Sequence, residues 1–176
     1  MTARRRRAHD KLAALPGVRA VRRPVRSGQN STDDEFDLYY VRTGRKTAHP
    51  LVVIPGGPGA ASVALYRGFR RRATAEGLDV IMVEHRGVGL SRHDDRGADL
   101  PPEALTVNHA VDDVAAVLDD AGVDKAVVYG TSYGTYLAAG FGVRHPNRVQ
   151  AMVLDSPVLS AQDIDAVRET TRRLLW

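Results

Sequence analysis

The stretch VVYGTSYGTYLA, residues 127–138, sets one serine between two glycines, Gly130 and Gly134, where an apolar run gives way to an alanine-rich one. A plain turn needs one glycine; two of them bracketing Ser132 match a sharp strand-to-helix corner that lifts a nucleophile clear of the backbone. The chemistry such a corner supports is acyl transfer. A serine hydroxyl is a weak nucleophile at neutral pH, so it needs a base, an acid to orient that base, and N–H donors for the developing oxyanion. The backbone N–H of Tyr133, opening the following helix, is the expected first donor, and the helix dipole favours negative charge there.

A second glycine cluster, IPGGPGA at residues 54–60, ends an earlier apolar run. Pro58 has no N–H, which makes Gly57 the expected second oxyanion donor and Gly56 its backup. The bare backbone there would let a substrate carbonyl approach closely. The chain has no cysteine, so disulfides, thiolate metal sites and a cysteine nucleophile are excluded. No metal or organic cofactor is called for.

The elements that must hold these groups follow from pattern. LVVI (51–54) and VIMV (80–83) are apolar without alternation, as strands inside a parallel sheet are. FDLYYVRTG (36–44) reads as a short strand, residues 60–76 are helical in composition, and VQAMVLD (149–155) is a further buried strand. Val107, Val111, Val114, Leu118 and Ala121 recur at helical spacing before Gly122. Alternating strands and helices from residue 51 onward specify an α/β fold with right-handed crossovers.

GGPG after one strand, RGVGLS (86–91) after the next and GTSYGTYLA at the corner resemble, in this order and spacing, the proline iminopeptidase and tripeptidyl aminopeptidase branch of α/β-hydrolase serine peptidases. The resemblance covers residues 35–160. It implies an α/β-hydrolase fold, a nucleophile elbow at Ser132, and release of N-terminal residues from peptides through an acyl-enzyme. Tyr133 is more similar to the tripeptidyl side, since iminopeptidases usually carry tryptophan there. Pro55 stands where iminopeptidases usually have histidine, which weakens proline specificity, and Glu84 stands for the usual aspartate. Glu84 is expected to form a structural ion pair with Arg86 or a turn bond.

The family order is nucleophile, acid, histidine. After Ser132 the only histidine is His145, at the end of the serine's own helix and roughly 18 to 20 Å away at 1.5 Å per residue. It reads as a helix-terminal cation. His85, His93 and His109 read as loop or surface residues, with His85 the fallback base. Asp155 closes the strand after the elbow and is the possible acid, although a structural or capping role leads. The reading therefore places the triad acid and histidine outside this chain, and takes the chain for the N-terminal part of a hydrolase, truncated after the strand that follows the elbow.

Residues 1–26 hold nine Arg and Lys against Asp10 alone and read as a basic, solvated arm. Residues 27–160 read as the hydrolase core. Residues 161–176 read as the start of a lid helix, with Ser160 and Asp163 as its capping pattern and Ile164, Val167, Leu174 and Leu175 as an apolar stripe. The arm lacks interleaved aromatics, so nucleic acid is not an expected partner. No apolar run reaches a membrane span and no secretory leader is visible, so no membrane is expected and a cytoplasmic location is the default. Expected partners are a peptide or small-molecule substrate, and another copy or a complementing chain along an open sheet edge. Two alternatives stay open: a small-molecule esterase or amidase of this fold, and a non-catalytic fragment that binds a partner chain.

Overall fold

The computed structural model describes residues 3–26, 34–57, 59–158, 160, 162 and 169. Its elements run α1 (Ala3–Ala13), β1 (Val18–Pro24), β2 (Glu35–Thr43), β3 (Leu51–Ile54), α2 (Ser62–Leu65), α3 (Arg67–Ala75), β4 (Val80–Val83), α4 (Val107–Asp120), β5 (Ala126–Thr131), α5 (Tyr133–Arg144) and β6 (Val149–Asp155). The sheet order is β1-β2-β4-β3-β5-β6. β1 and β2 pair antiparallel, as do β2 and β4, whereas β4, β3, β5 and β6 are parallel neighbours.

Both faces of β3 and β4 are covered, which explains their unbroken apolar runs, whereas β6, expected to be buried, is exposed along most of its length because it lies at the edge of the described sheet. Along β4, Val80 and Met82 pack with Val53, Val63 and Ala73 under α2 and α3, while Ile81 and Val83 face the opposite layer with Val114, Leu118 and Phe141 of α4 and α5. Successive side chains of a strand point to opposite faces, so a strand buried on both needs apolar residues throughout. α4 begins at Thr106, whose hydroxyl accepts the His109 N–H at 3.2 Å, and Gly122 follows its end with φ 65°. Both boundaries match the expected signals.

The basic segment is not a solvated arm. Residues 3–13 form α1, and residues 18–24 form β1, paired with β2 over its whole length. Leu12, Ala13 and Leu15 pack onto the same core as α2 and α3. Two of the three arginines of β1 are met by carboxylates: Arg22 bonds Glu35, Asp37 and Asp95, and Arg23 bonds the buried Asp113 at 2.8 Å. The core thus starts well before residue 27. The lid-helix reading of 161–176, with its stripe and its cap at Asp163, lies outside the described residues apart from isolated positions. No described helix is long and apolar enough to cross a membrane.

Candidate active site

β5 delivers the chain into a left-handed corner. Ser132 has φ 51° and ψ −124°, one of two non-glycine residues with positive φ among those described. Such a conformation costs on the order of 1 to 3 kcal/mol and persists only where the surroundings fix it. They do so here through several bonds. The Ser132 N–H donates to the Asp155 carbonyl at 2.9 Å, and the Ser132 carbonyl accepts from the Thr135 N–H at 2.9 Å and the Thr135 hydroxyl at 2.6 Å. That hydroxyl in turn accepts the Val158 N–H at 2.7 Å, so fully buried Thr135 ties the corner to the loop after β6. Nothing in the local sequence signalled this role.

The glycines are where sterics demand them. A Cβ on Gly134 would fall on the Ile54 carbonyl oxygen, and one on Gly130 would stand 2.6 Å from the Gly134 oxygen and 2.9 Å from the Ala138 Cβ. The loop after β3 lies against the serine: a Cβ on Gly56 would be 2.9 Å from the Ser132 Cβ. Gly57 follows with φ 71° and open space around it; Pro58 is not among the described residues. The structure therefore brings together Ser132, Tyr133, Gly56 and the Gly57 turn, the four positions that acyl transfer would use. Ser132 itself is exposed, and no described residue hydrogen-bonds its Oγ.

Glu84 and Arg86 are not partners. The Glu84 carboxylate is buried and accepts the N–H groups of Val63 at 2.9 Å and Leu90 at 3.1 Å. Burial raises its pKa, and these bonds oppose the shift. It clamps the 84–91 loop to α2, which starts five residues after Gly57, and Gly89 is required because a Cβ there would overlap Glu84 Oε1. Arg86 instead makes two 2.7 Å bonds to Asp113 of α4 and donates to the Ala104 carbonyl at 2.9 Å. Of the two expectations for Glu84, the ion pair with Arg86 fails because the fold sends the two side chains to different layers, and the turn bond holds through the Leu90 N–H.

Asp155 ends β6 beside the elbow, exposed. Its carboxylate accepts the Tyr129 hydroxyl at 2.7 Å and the Ser156 hydroxyl at 3.1 Å, which lower its pKa below the usual range. It faces no histidine among the described residues that could be oriented by it. His145 bonds Asp112 at 3.0 Å at the end of α5, His93 bonds Asp99, His109 bonds the Ala104 carbonyl, His49 the Lys125 carbonyl and His9 Asp10. His85 differs: both ring nitrogens are buried without a partner. Among the described residues no group of His, Asp and Glu could hold a metal ion.

A family model described as the alpha/beta hydrolase fold matches residues 49–175. Proline iminopeptidase of Neisseria meningitidis serogroup A is 28% identical over 138 residues, covering 76% of this chain and 41% of the relative. Proline iminopeptidase of Arabidopsis thaliana is 28% identical over 134 residues, covering 74% of this chain and 32% of that protein. This chain thus spans well under half the length of these relatives. Among solved structures, epoxide hydrolase A of Mycobacterium thermoresistibile superposes with a TM-score of 0.60 at 25% identity, over 89% of this chain and 45% of that one.

Proposed function

The chain belongs to the alpha/beta hydrolase fold family, and from that premise we propose that it carries the nucleophile of a serine hydrolase of aminopeptidase type. The observation that carries this reading is the left-handed Ser132 between Gly130 and Gly134, with Gly56 packed against it. In the proposed reaction Ser132 Oγ attacks the carbonyl carbon of an N-terminal residue's amide and its proton passes to a base. The oxyanion that forms accepts N–H bonds from Tyr133 and Gly57. The amide C–N bond then breaks, the leaving amine takes the proton, and water hydrolyses the resulting acyl-enzyme. Substrate is a peptide with a free N-terminus, by likeness to the iminopeptidase relatives.

The reading assigns the base and its acid to residues this chain does not supply. Five of its six histidines have polar partners away from the elbow, and Asp155 is committed to Tyr129 and Ser156. A second reading, hydrolysis of small-molecule esters or amides, draws on Pro55 in place of the iminopeptidase histidine.

The test offers the chain an aminoacyl p-nitroanilide and a p-nitrophenyl alkanoate in parallel, with imidazole as external base and Ser132→Ala as control. Ser132-dependent release from the anilide supports the aminopeptidase reading. Release confined to the ester favours the second, and release indifferent to Ser132→Ala removes the serine from both.

A further inference from the structure

His85 is the one histidine whose ring has no polar partner among the described residues, and it borders a cleft of about 270 Å³ next to the elbow. Tyr133, Leu137, Leu105, Thr106 and Gly59 are among the residues of its wall. Tyr133 immediately follows the serine and Gly59 lies on the glycine loop, so the cleft adjoins the place where a substrate carbonyl would sit. Leu105, 47% exposed, lies across Gly87 and makes the outer wall.

Two buried, unpaired ring nitrogens are costly. Each such group left unsatisfied costs about 1 to 3 kcal/mol, and folded proteins seldom keep one without use. A ligand filling the cleft would supply the missing partner after a turn of the ring about its side-chain bonds.

The charges around the cleft restrict what that ligand can be. Arg86 lines it, but its guanidinium is spent on Asp113 and on the carbonyls of Ala104 and Val25. Asp113 is shared with Arg23, and His109 is held by Ala104. Burial keeps the His85 ring neutral, lowering its pKa against a weaker pull from Asp113. A carboxylate or ammonium entering here would be buried without a counter-charge, which is strongly unfavourable. A neutral imidazole offers one donor and one acceptor, the complement of an amide or a hydroxyl.

We propose that this cleft is a substrate subsite for an uncharged side chain, apolar along its length and ending in an amide or hydroxyl that hydrogen-bonds His85. The proposal rests on Ser132 as the nucleophile for its catalytic meaning, but the binding itself does not require the serine.

The experiment titrates the full chain, with 15N-labelled histidine and backbone, against isobutyramide, isobutyrate and isobutylamine, following the ring nitrogens of His85 and the amide of Tyr133 by NMR. Isobutyramide is expected to shift both signals saturably, and the two charged probes to bind at least about tenfold more weakly, the worth of one neutral hydrogen bond or more. His85→Phe should lose about tenfold in isobutyramide affinity with an unchanged circular dichroism spectrum, and Ser132→Ala should lose none. Equal binding of the charged probes, undiminished binding by His85→Phe, or no saturable shift at the wild-type His85 ring would each overturn the proposal. The wild-type ring shift decides the matter even if His85→Phe does not fold. Probe binding with no fluorophosphonate labelling of Ser132 in the presence of imidazole would sink the nucleophile alone; such labelling without probe binding would sink the subsite alone.

Discussion

At the scale of single residues, the elbow was legible because its demands are local. Gly130, Ser132 and Gly134 announce themselves by spacing, and the Cβ positions show why: the backbone of β3, β5 and α5 converges there. Gly134→Val should destabilise the fold by about 1 to 3 kcal/mol or more through overpacking, read as a lowered denaturant midpoint; an unchanged midpoint would mean that the close approach to Ile54 is absent. Thr135 was not legible, since its partners are the Ser132 carbonyl and Val158, the latter across a tertiary contact with no local pattern. Thr135→Val should cost about 1 kcal/mol or more by leaving the part-buried Val158 N–H unpaired, while the Ser132 carbonyl keeps the Thr135 N–H, and the same unfolding measurement checks it. For Glu84 the expected turn bond is present, to the Leu90 N–H, but the alternative pair with Arg86 is not: the partner of Arg86, Asp113, is separated from it by a helix start and a loop.

At the scale of elements, the parallel strands and the helices that follow them were readable from unbroken apolar runs and helical spacing. β1 was not, because its arginines mask any apolar alternation, and their pairing with β2, Asp95 and Asp113 is visible only once the strands are side by side. Deleting residues 1–26 should therefore lower the melting temperature markedly, where removal of a solvated arm would leave it unchanged. A second consequence concerns acid. Arg42 on β2 pairs with the buried Asp79 ahead of β4, bonding it at 3.0 and 2.7 Å, and the Thr47 N–H adds a third bond at 2.7 Å. Burial alone would raise the Asp79 pKa, but these bonds outweigh it and hold the group below its ordinary 3.8. The folded pKa is the lower one, so the stabilisation is complete above the unfolded value and is lost as pH falls through the folded value. Asp79→Asn should cost about 3 to 5 kcal/mol near neutrality, as breaking a buried pair does. Denaturant titrations between pH 6 and pH 2.5 should show that difference shrinking as the acid limit is approached; a constant difference would contradict the linkage.

At the scale of the whole molecule, β6 closes the strand order, and no described residue pairs with its outer edge. Val153 is 47% exposed and Leu154 36%, an apolar margin of the kind that recruits another strand. The isolated chain is expected to self-associate in light scattering, and Gln150→Lys, an edge charge, should reduce that without loss of helicity; a concentration-independent monomer would show that the edge is covered. The proposed nucleophile Ser132 has no hydrogen bond from any histidine among the described residues, His85 beside the neighbouring cleft included, and that gives the most direct measurement. The chain is exposed to a fluorophosphonate with and without imidazole, and the adduct is located by peptide mass spectrometry. The account predicts slow labelling that imidazole accelerates, confined to Ser132 and abolished in Ser132→Ala. Rapid stoichiometric labelling without imidazole would show that this chain holds its own base, and labelling spread over other serines even with imidazole would show that Ser132 is not the nucleophile.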